Sequence, residues 1–283
     1  MTNLSIYMIF GIITLLGLSS VFIDYPERMV AYLKHMWLYF LFITITVAIS
    51  PNIGVLVLAL ISFMGMREYF TLITIRPQDR IAVLGAFLTI PWMALALWMN
   101  WYHPFIILIL LYSFLGISFL VVSGGDKGDG TVFSIGIIVF GILLFVVGNG
   151  HVGFLTFEST CLTVLVIITI CLVDSIAFLL SISSHRPVLK WYVTKYLVAL
   201  PATVTIFLVF CPELSISRFE AVVIGTIVPV LVAASRYIMI HVEKDLGIAA
   251  DYETLRRGRL INSSCPLIMT VPIIFQYQSI FTQ

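Results

Sequence analysis

Apolar runs long enough to cross a membrane, separated by short polar breaks, recur from one end of the chain to the other. A run of about 17–25 apolar residues crosses a bilayer as a helix, because lipid offers the backbone no hydrogen-bond partner. By that rule the sequence predicts spans near 4–22, 36–50, 52–66, 81–98, 103–122, 132–148, 159–181, 194–211, 219–241 and 266–282, about ten in all. The second and third runs are short, and Pro51-Asn52 between them predicts a tight hairpin. The first run has no basic stretch before it and no small-residue cleavage site after it, so it reads as a span and not as a removed signal peptide.

Composition agrees with the pattern. Of 283 residues, 61% are hydrophobic and 10% charged, whereas a soluble globular domain carries about a quarter charged. The chain reads as an all-α polytopic membrane protein. Its net charge of +1 is too small for a nucleic-acid partner, which needs a concentrated excess of Lys and Arg. The placement of charge is more informative. With the N-terminus outside, the cytoplasmic loops hold Arg28 and Lys34, then Arg67, Arg76 and Arg80, then Lys127, then Arg186, Lys190 and Lys195, and finally Lys244, Arg256, Arg257 and Arg259. That is 13 of the 15 basic residues, as expected if cytoplasmic loops are enriched in them. The outside loops, around Pro51, Trp101, His151 and Glu213, are nearly free of basic charge. There is no repeat, heptad run, low-complexity tail or soluble domain, so residues 1–283 form one transmembrane domain.

Two charges lie inside apolar runs. Asp174 sits in the seventh run, within about two turns of its cytoplasmic end, and Arg236 at a similar depth in the ninth. A charge in a span is costly and is usually held by a partner, so the two are expected to neutralise one another or to line a polar cavity open to the cytoplasm, two readings that are compatible. The loops 182–195 and 242–265 gather seven basic residues on the same face. They read as the ordinary inside signal with attraction to anionic lipid, or as a pocket for a phosphate-bearing substrate. Ser123-Gly124-Gly125-Asp126-Lys127-Gly128-Asp129-Gly130 follows no strand and lacks the ending of a phosphate loop, so it reads as a flexible connection. Neither Cys161, Cys171, Cys211 and Cys265 nor the five histidines show metal-ligand spacing.

Three stretches, in order, resemble the integral-membrane phosphatidate cytidylyltransferases, the CDP-diacylglycerol synthase family. Ile61-Ser62-Phe63-Met64-Gly65-Met66-Arg67-Glu68-Tyr69 resembles the family's span ending in Arg-Glu-Phe/Tyr. Val173-Asp174-Ser175-Ile176-Ala177-Phe178 resembles its Asp-Ser/Thr-x-Ala-Tyr/Phe element. Glu243-Lys244-Asp245-Leu246-Gly247-Ile248, followed by Val271-Pro272, is similar to its Lys-Arg-Asp/Glu-x-Gly-Ile stretch. The resemblance runs from about Leu38 to Phe275. It divides the domain into an N-terminal span and loop, 1–35, scaffold spans, 36–148, and a cytidylyltransferase-like region, 159–283.

The resemblance implies transfer of a cytidylyl group from CTP to a phosphatidate-type lipid, giving a CDP-lipid and diphosphate, with carboxylate-held Mg²⁺ offsetting charge on the triphosphate. It implies Asp174 as catalytic and metal-binding residue; the basic side chains of Lys195, Arg236, Arg257 and Arg259 are the candidates to hold phosphates directly. The resemblance also implies phospholipid metabolism and a homodimer, with a bacterial inner (plasma) membrane as the expected location and the pocket facing the cytoplasm. The chain departs from the family where it matters. Ser235 and Arg236 fall on the family's Gly-Asp, Met239 on its Glu, and the stretch Arg257 to Cys265 on a motif that carries two aspartates. With one matched carboxylate left, the alternative is a catalytically inactive relative that binds an anionic lipid or a membrane-protein partner. A transporter would need an inverted repeat or a pair of broken helices, and neither is evident.

Overall fold

A computed structural model of the protein describes residues 43, 50–73, 75–124, 130–183, 195–214, 216–245 and 259–281, apart from the side chains of 178, 179, 181–183, 243, 245, 259–263 and 281. Every regular element among the described residues is helical. Eight rods follow one another: α1 Pro51–Leu72, α2 Pro77–Trp98, α3 Tyr102–Ser123, α4 Thr131–Glu158, α5 Thr160–Ser183, α6 Lys195–Leu214, α7 Arg218–Asp245 and α8 Arg259–Phe281. Seven of these helices are long and apolar enough to cross a membrane. They answer to the third through ninth predicted runs, and α8 to the tenth. The expected spans 4–22 and 36–50 lie outside the described residues but for Ile43 and Ser50.

Local chemistry sets several of the ends. Pro51 opens α1, where its missing N–H costs nothing. The chain leaves α2 through Asn100 at φ 54°, with Trp101 N–H donating to Ala96 O at 2.8 Å and Asn100 N–H to Leu97 O at 3.1 Å. This is a Schellman stop, with Asn in the left-handed position that usually takes Gly. Before α7, Ser217 N–H donates to Glu220 Oε2 at 2.6 Å and Glu220 N–H to Ser217 Oγ at 3.2 Å, a reciprocal capping box. Ser159 caps α5 in the same sense, accepting from Leu162 N–H at 3.3 Å. Two rods carry a turn of wider, π-type helix, Tyr112–Gly116 in α3 and Leu143–Val147 in α4.

Cross-helix bonds fix how the rods run. Tyr69, near the end of α1, donates to Ile137 O near the start of α4 at 3.0 Å. The α1–α2 and α3–α4 connections meet where Arg76 Nη1 comes within 3.7 Å of where a Cβ on Gly130 would stand. The starts of α2, α4, α6 and α8 therefore share one end of the bundle with the ends of α1, α3, α5 and α7. That end carries Arg76, Arg80, Lys195 and Lys244, with Arg67 in the last turns of α1, and we call it the basic end. Burial is graded across the bundle. In α5, 78% of the apolar window is inside the protein, against 28% in α3 and 22% in α6, so α5 is central and the other two are peripheral.

The structure differs from the sequence pattern most in α4. The predicted span stops at 148 and leaves His151 in an outside loop, but the helix continues to Glu158 and everything from Gly148 to Thr156 is buried. Close packing is the reason. A Cβ on Gly148 would fall on Ile268 of α8, one on Gly150 on Phe105 of α3, and one on Gly153 2.5 Å from Leu97 of α2. Three glycines thus let three neighbours approach one helix. On this account Gly148→Val forces overpacking and lowers stability by about 1–3 kcal/mol. Gly136→Ala, at a helical position with open space, leaves stability unchanged or raises it by up to about 1 kcal/mol. Thermal unfolding in detergent separates the two outcomes.

Candidate functional site

Asp174 and Arg236 stand nine residues before the ends of their parallel helices, at Ser183 and Asp245. Equal distances from a shared end bring them to one depth. There Arg236 Nε donates to Asp174 Oδ1 at 2.9 Å, and Arg236 Nη2 donates to Asp174 Oδ2. The pair is bidentate, and both residues are buried, at 7% and 3% exposure. Of the two compatible expectations for these residues, the structure shows mutual neutralisation. Fork-on-fork pairing of guanidinium and carboxylate satisfies two donors and both acceptor oxygens at once, which is what a low-dielectric interior requires of an ion pair.

Other groups gather around the pair. Lys195, half-buried at the start of α6, is close enough for the charges of Asp174 and Arg236 both to act on its ammonium. Behind Arg236, Ser235 is buried with its hydroxyl on Val232 O, and Cys265 of α8 points its thiol at Ser235 O from 3.8 Å. Cys171, one turn before Asp174, is fully enclosed, and all four cysteines are buried thiols outside any disulfide. The structure thus joins three of the predicted site residues, Asp174, Lys195 and Arg236, at the basic end between α5, α6 and α7. Arg259 is placed by its backbone at the start of α8, on the same end, and Arg257 lies outside the described residues.

The donor set does not suit Mg²⁺. A hard divalent cation takes six oxygen ligands, with carboxylates carrying the compensating charge. Both oxygens of Asp174 accept from a guanidinium, and two cations repel a third. Among the described residues no three His, Cys, Asp or Glu side chains come together.

A second polar constellation, which sequence reasoning missed, occupies the other half of the bundle. Gln276 Nε2 donates to Tyr102 Oη, and Tyr102 Oη lies 3.2 Å from His151 Nε2. His151 Nδ1 lies 2.7 Å from Val147 O. The chain is satisfied throughout by a neutral imidazole with its proton on Nδ1. The rings of Tyr102, Phe105 and Phe275 meet the imidazole steeply tilted, at 5.7–6.2 Å between centroids. Two residues earlier in α4, Asn149 Nδ2 donates to Ser62 Oγ at 2.9 Å, and Ser62 is within 2.7–2.8 Å of Phe145 O and Leu58 O. The signal in the sequence was Gly148-Asn149-Gly150-His151, polar residues set between glycines that permit close helix contact. A recess of about 280 Å³ between α2 and α3, lined by Leu88, Thr89, Trp92, Leu108, Ile109 and Tyr112, contains no charged group.

Comparison with protein families, with curated proteins and with solved structures finds no match to this chain.

The ion pair makes a stability prediction. Arg236→Met leaves Asp174 buried and uncompensated, and is expected to cost about 3–5 kcal/mol. Adding Asp174→Leu to that variant removes the stranded charge and is expected to recover most of the loss. Denaturation of both variants in one detergent measures the recovery. No recovery would mean that the two side chains are not coupled.

Proposed function

We propose that the protein is a membrane-embedded binder of anionic phospholipid, built on a cytidylyltransferase-like plan whose metal site has been replaced by an ion pair. The observation that carries this reading is the bidentate engagement of Asp174 by Arg236. The resemblance assigns Asp174 the metal, yet this carboxylate is committed to a guanidinium. Arg236 and Lys195 suit a lipid phosphate, with Arg257 and Arg259 extending the basic surface toward the headgroups. The nucleotidyl-transfer reading, CTP and phosphatidate to CDP-lipid, rests on the resemblance alone.

The finer topology belongs to the same proposal. Eight described rods, with the apolar runs 4–22 and 36–50, make ten spans. Positive charge gathered at one end makes that end cytoplasmic and puts both termini outside. The setting that fits is a bacterial inner membrane, with a homodimer or a membrane-protein partner compatible with it. Single cysteines substituted at Lys127 and at Trp101 are expected to react with an impermeant maleimide from opposite sides of the membrane. Labelling of both from the same side would overturn the topology.

Function is tested on purified protein in nanodiscs. With labelled CTP, phosphatidate and Mg²⁺, no CDP-lipid is expected above background. Phosphatidate is expected to bind saturably, and Lys195→Gln to weaken binding about 5–10-fold, as loss of one charge-assisted contact does. CDP-lipid that disappears in Asp174→Asn would overturn the proposal in favour of the enzyme.

A further inference from the structure

The recess between α2 and α3 carries more than a gap between lipid-facing helices needs. Leu88 and Thr89 stand at the middle of α2 and Tyr112 at the middle of α3, with Trp92 and Leu108 one turn away toward the end opposite the basic one. Thr89 and Ile109 are buried while Leu88 and Leu108 are exposed, so the recess, of about 280 Å³, opens between two leucines toward lipid. Each helix brings one aromatic side chain, Trp92 from α2 and Tyr112 from α3. Tyr112 also begins the π-type turn Tyr112–Gly116, a distortion found frequently at functional sites. Hydrogen bonding at this wall is incomplete. The Thr89 hydroxyl donates to Ala86 O at 2.6 Å and the Tyr112 hydroxyl to Gly85 O at 3.2 Å. Trp92 Nε1–H and the Ser113 hydroxyl are buried with no hydrogen-bond partner among the described residues, a state that costs free energy inside a membrane.

These features define an occupant. It is uncharged, because the lining offers no charged group to compensate it and a bare charge at mid-bilayer is costly. It brings a hydrogen-bond acceptor, because the indole N–H is a donor only. It presents a planar ring, because aromatic side chains from two facing helices favour offset stacking. A cavity of about 150 Å³ accepts one benzene ring, so the volume here takes a substituted head of one or two rings. Acyl chains bring no ring and no acceptor, and the ester carbonyls of glycerolipids lie about 10–15 Å away, at the edge of the hydrocarbon core. We propose that the recess binds the head of a membrane-dissolved isoprenoid quinone. One ring carbonyl accepts from Trp92 Nε1–H, the ring stacks between Trp92 and Tyr112, and the tail leaves between Leu88 and Leu108. The pair of Asp174 and Arg236 lies between α5 and α7, so this site is independent of the anionic-lipid reading.

The test uses the purified full chain in phosphatidylcholine nanodiscs and a photoreactive azido-ubiquinone with a ten-carbon tail. Labelling is expected to saturate and, by mass spectrometry of the cleaved protein, to fall on α2 and α3 around Trp92 and Leu108. Excess decylubiquinone is expected to lower it at least about fivefold. Decylbenzene, which has the ring and the tail without the carbonyls, is expected to leave it unchanged. Labelling that does not saturate, or that spreads over all the lipid-facing helices, would overturn the proposal. Equal competition by decylbenzene would make the recess a slot for hydrocarbon and reject the quinone.

Trp92→Phe supplies a second readout. An unpartnered donor contributes no bond to the ligand-free fold, so its replacement by an apolar ring is expected to leave the unfolding temperature in nanodiscs unchanged or higher. The variant is expected to bind decylubiquinone about three- to tenfold more weakly, through the loss of one hydrogen bond. It is also expected to lose most of the stabilisation that the quinone gives the wild type. Undiminished affinity would overturn the contact with the indole. A lower unfolding temperature without quinone would show that the N–H serves the fold, and would overturn its assignment to a ligand. Mapping of the label in the wild type needs no substitution, so it decides the proposal whether or not the variant folds.

Discussion

A charge placed in a bilayer must bring its compensation with it, and in this protein the buried pair of Arg236 and Asp174 meets that demand. A guanidinium or a carboxylate alone at that depth costs several kcal/mol, and together they satisfy one another through two parallel hydrogen bonds. The consequence reaches beyond the two residues. For the forks to meet, α5 and α7 must run parallel and in one register, since sliding either helix by a residue moves its side chain about 1.5 Å along the axis and 100° around it. The pair thus fixes the central helix against α7, and Lys195 at the start of α6 is brought close to both.

The opposite half of the bundle solves the same problem without charge. Tyr102, His151 and Gln276 come from three helices and form one directed chain of hydrogen bonds, while Asn149 and Ser62 pair between α4 and α1. These contacts are possible because α4 carries glycine where its neighbours press closest. Gly148 faces Ile268, Gly150 faces Phe105 and Gly153 faces Leu97. In lipid there is no hydrophobic gain from bringing two apolar helices together, so close backbone approach and interhelical polar bonds carry a larger share of the specificity. The wider π-type turn at Leu143–Val147, just before the glycines, changes the angular position of everything after it and helps aim Asn149 and His151 inward.

The chemistry available at the basic end follows from the sign of its charges. A nucleotidyl transfer of the kind the resemblance implies needs divalent cations held by carboxylates, so that charge building on the triphosphate is offset. Here the matched carboxylate is paired with a guanidinium. On the proposed reading, positive charge at the basic end attracts a phosphate directly, with no metal as intermediary. On that reading, the sign carried by a few positions facing one another across α5 and α7 separates a binder from an enzyme.

Much of the fold could be read from the sequence because lipid is a demanding solvent. Apolar length alone identified the helices that became α1 to α7, and signals such as Pro51, Asn100 and Ser217 with Glu220 mark ends by purely local hydrogen bonding. Equal depth within two apolar runs was enough to suggest that Asp174 and Arg236 pair. Hydropathy failed where polarity is compensated by a neighbour. Gly148 to Glu158 looks like the exit from a span, and it is helix because α1, α2, α3 and α8 cover it on different sides. Tyr102, the partner of His151, is 49 residues away, and Gln276, the partner of Tyr102, is 174 residues from it, and no local pattern encodes such a meeting. The sequence by itself settled that these segments are helices that cross a membrane, since the backbone has no other way to satisfy itself there. Which polar groups face one another, and hence whether Asp174 holds a metal or a guanidinium, was decided by the tertiary packing.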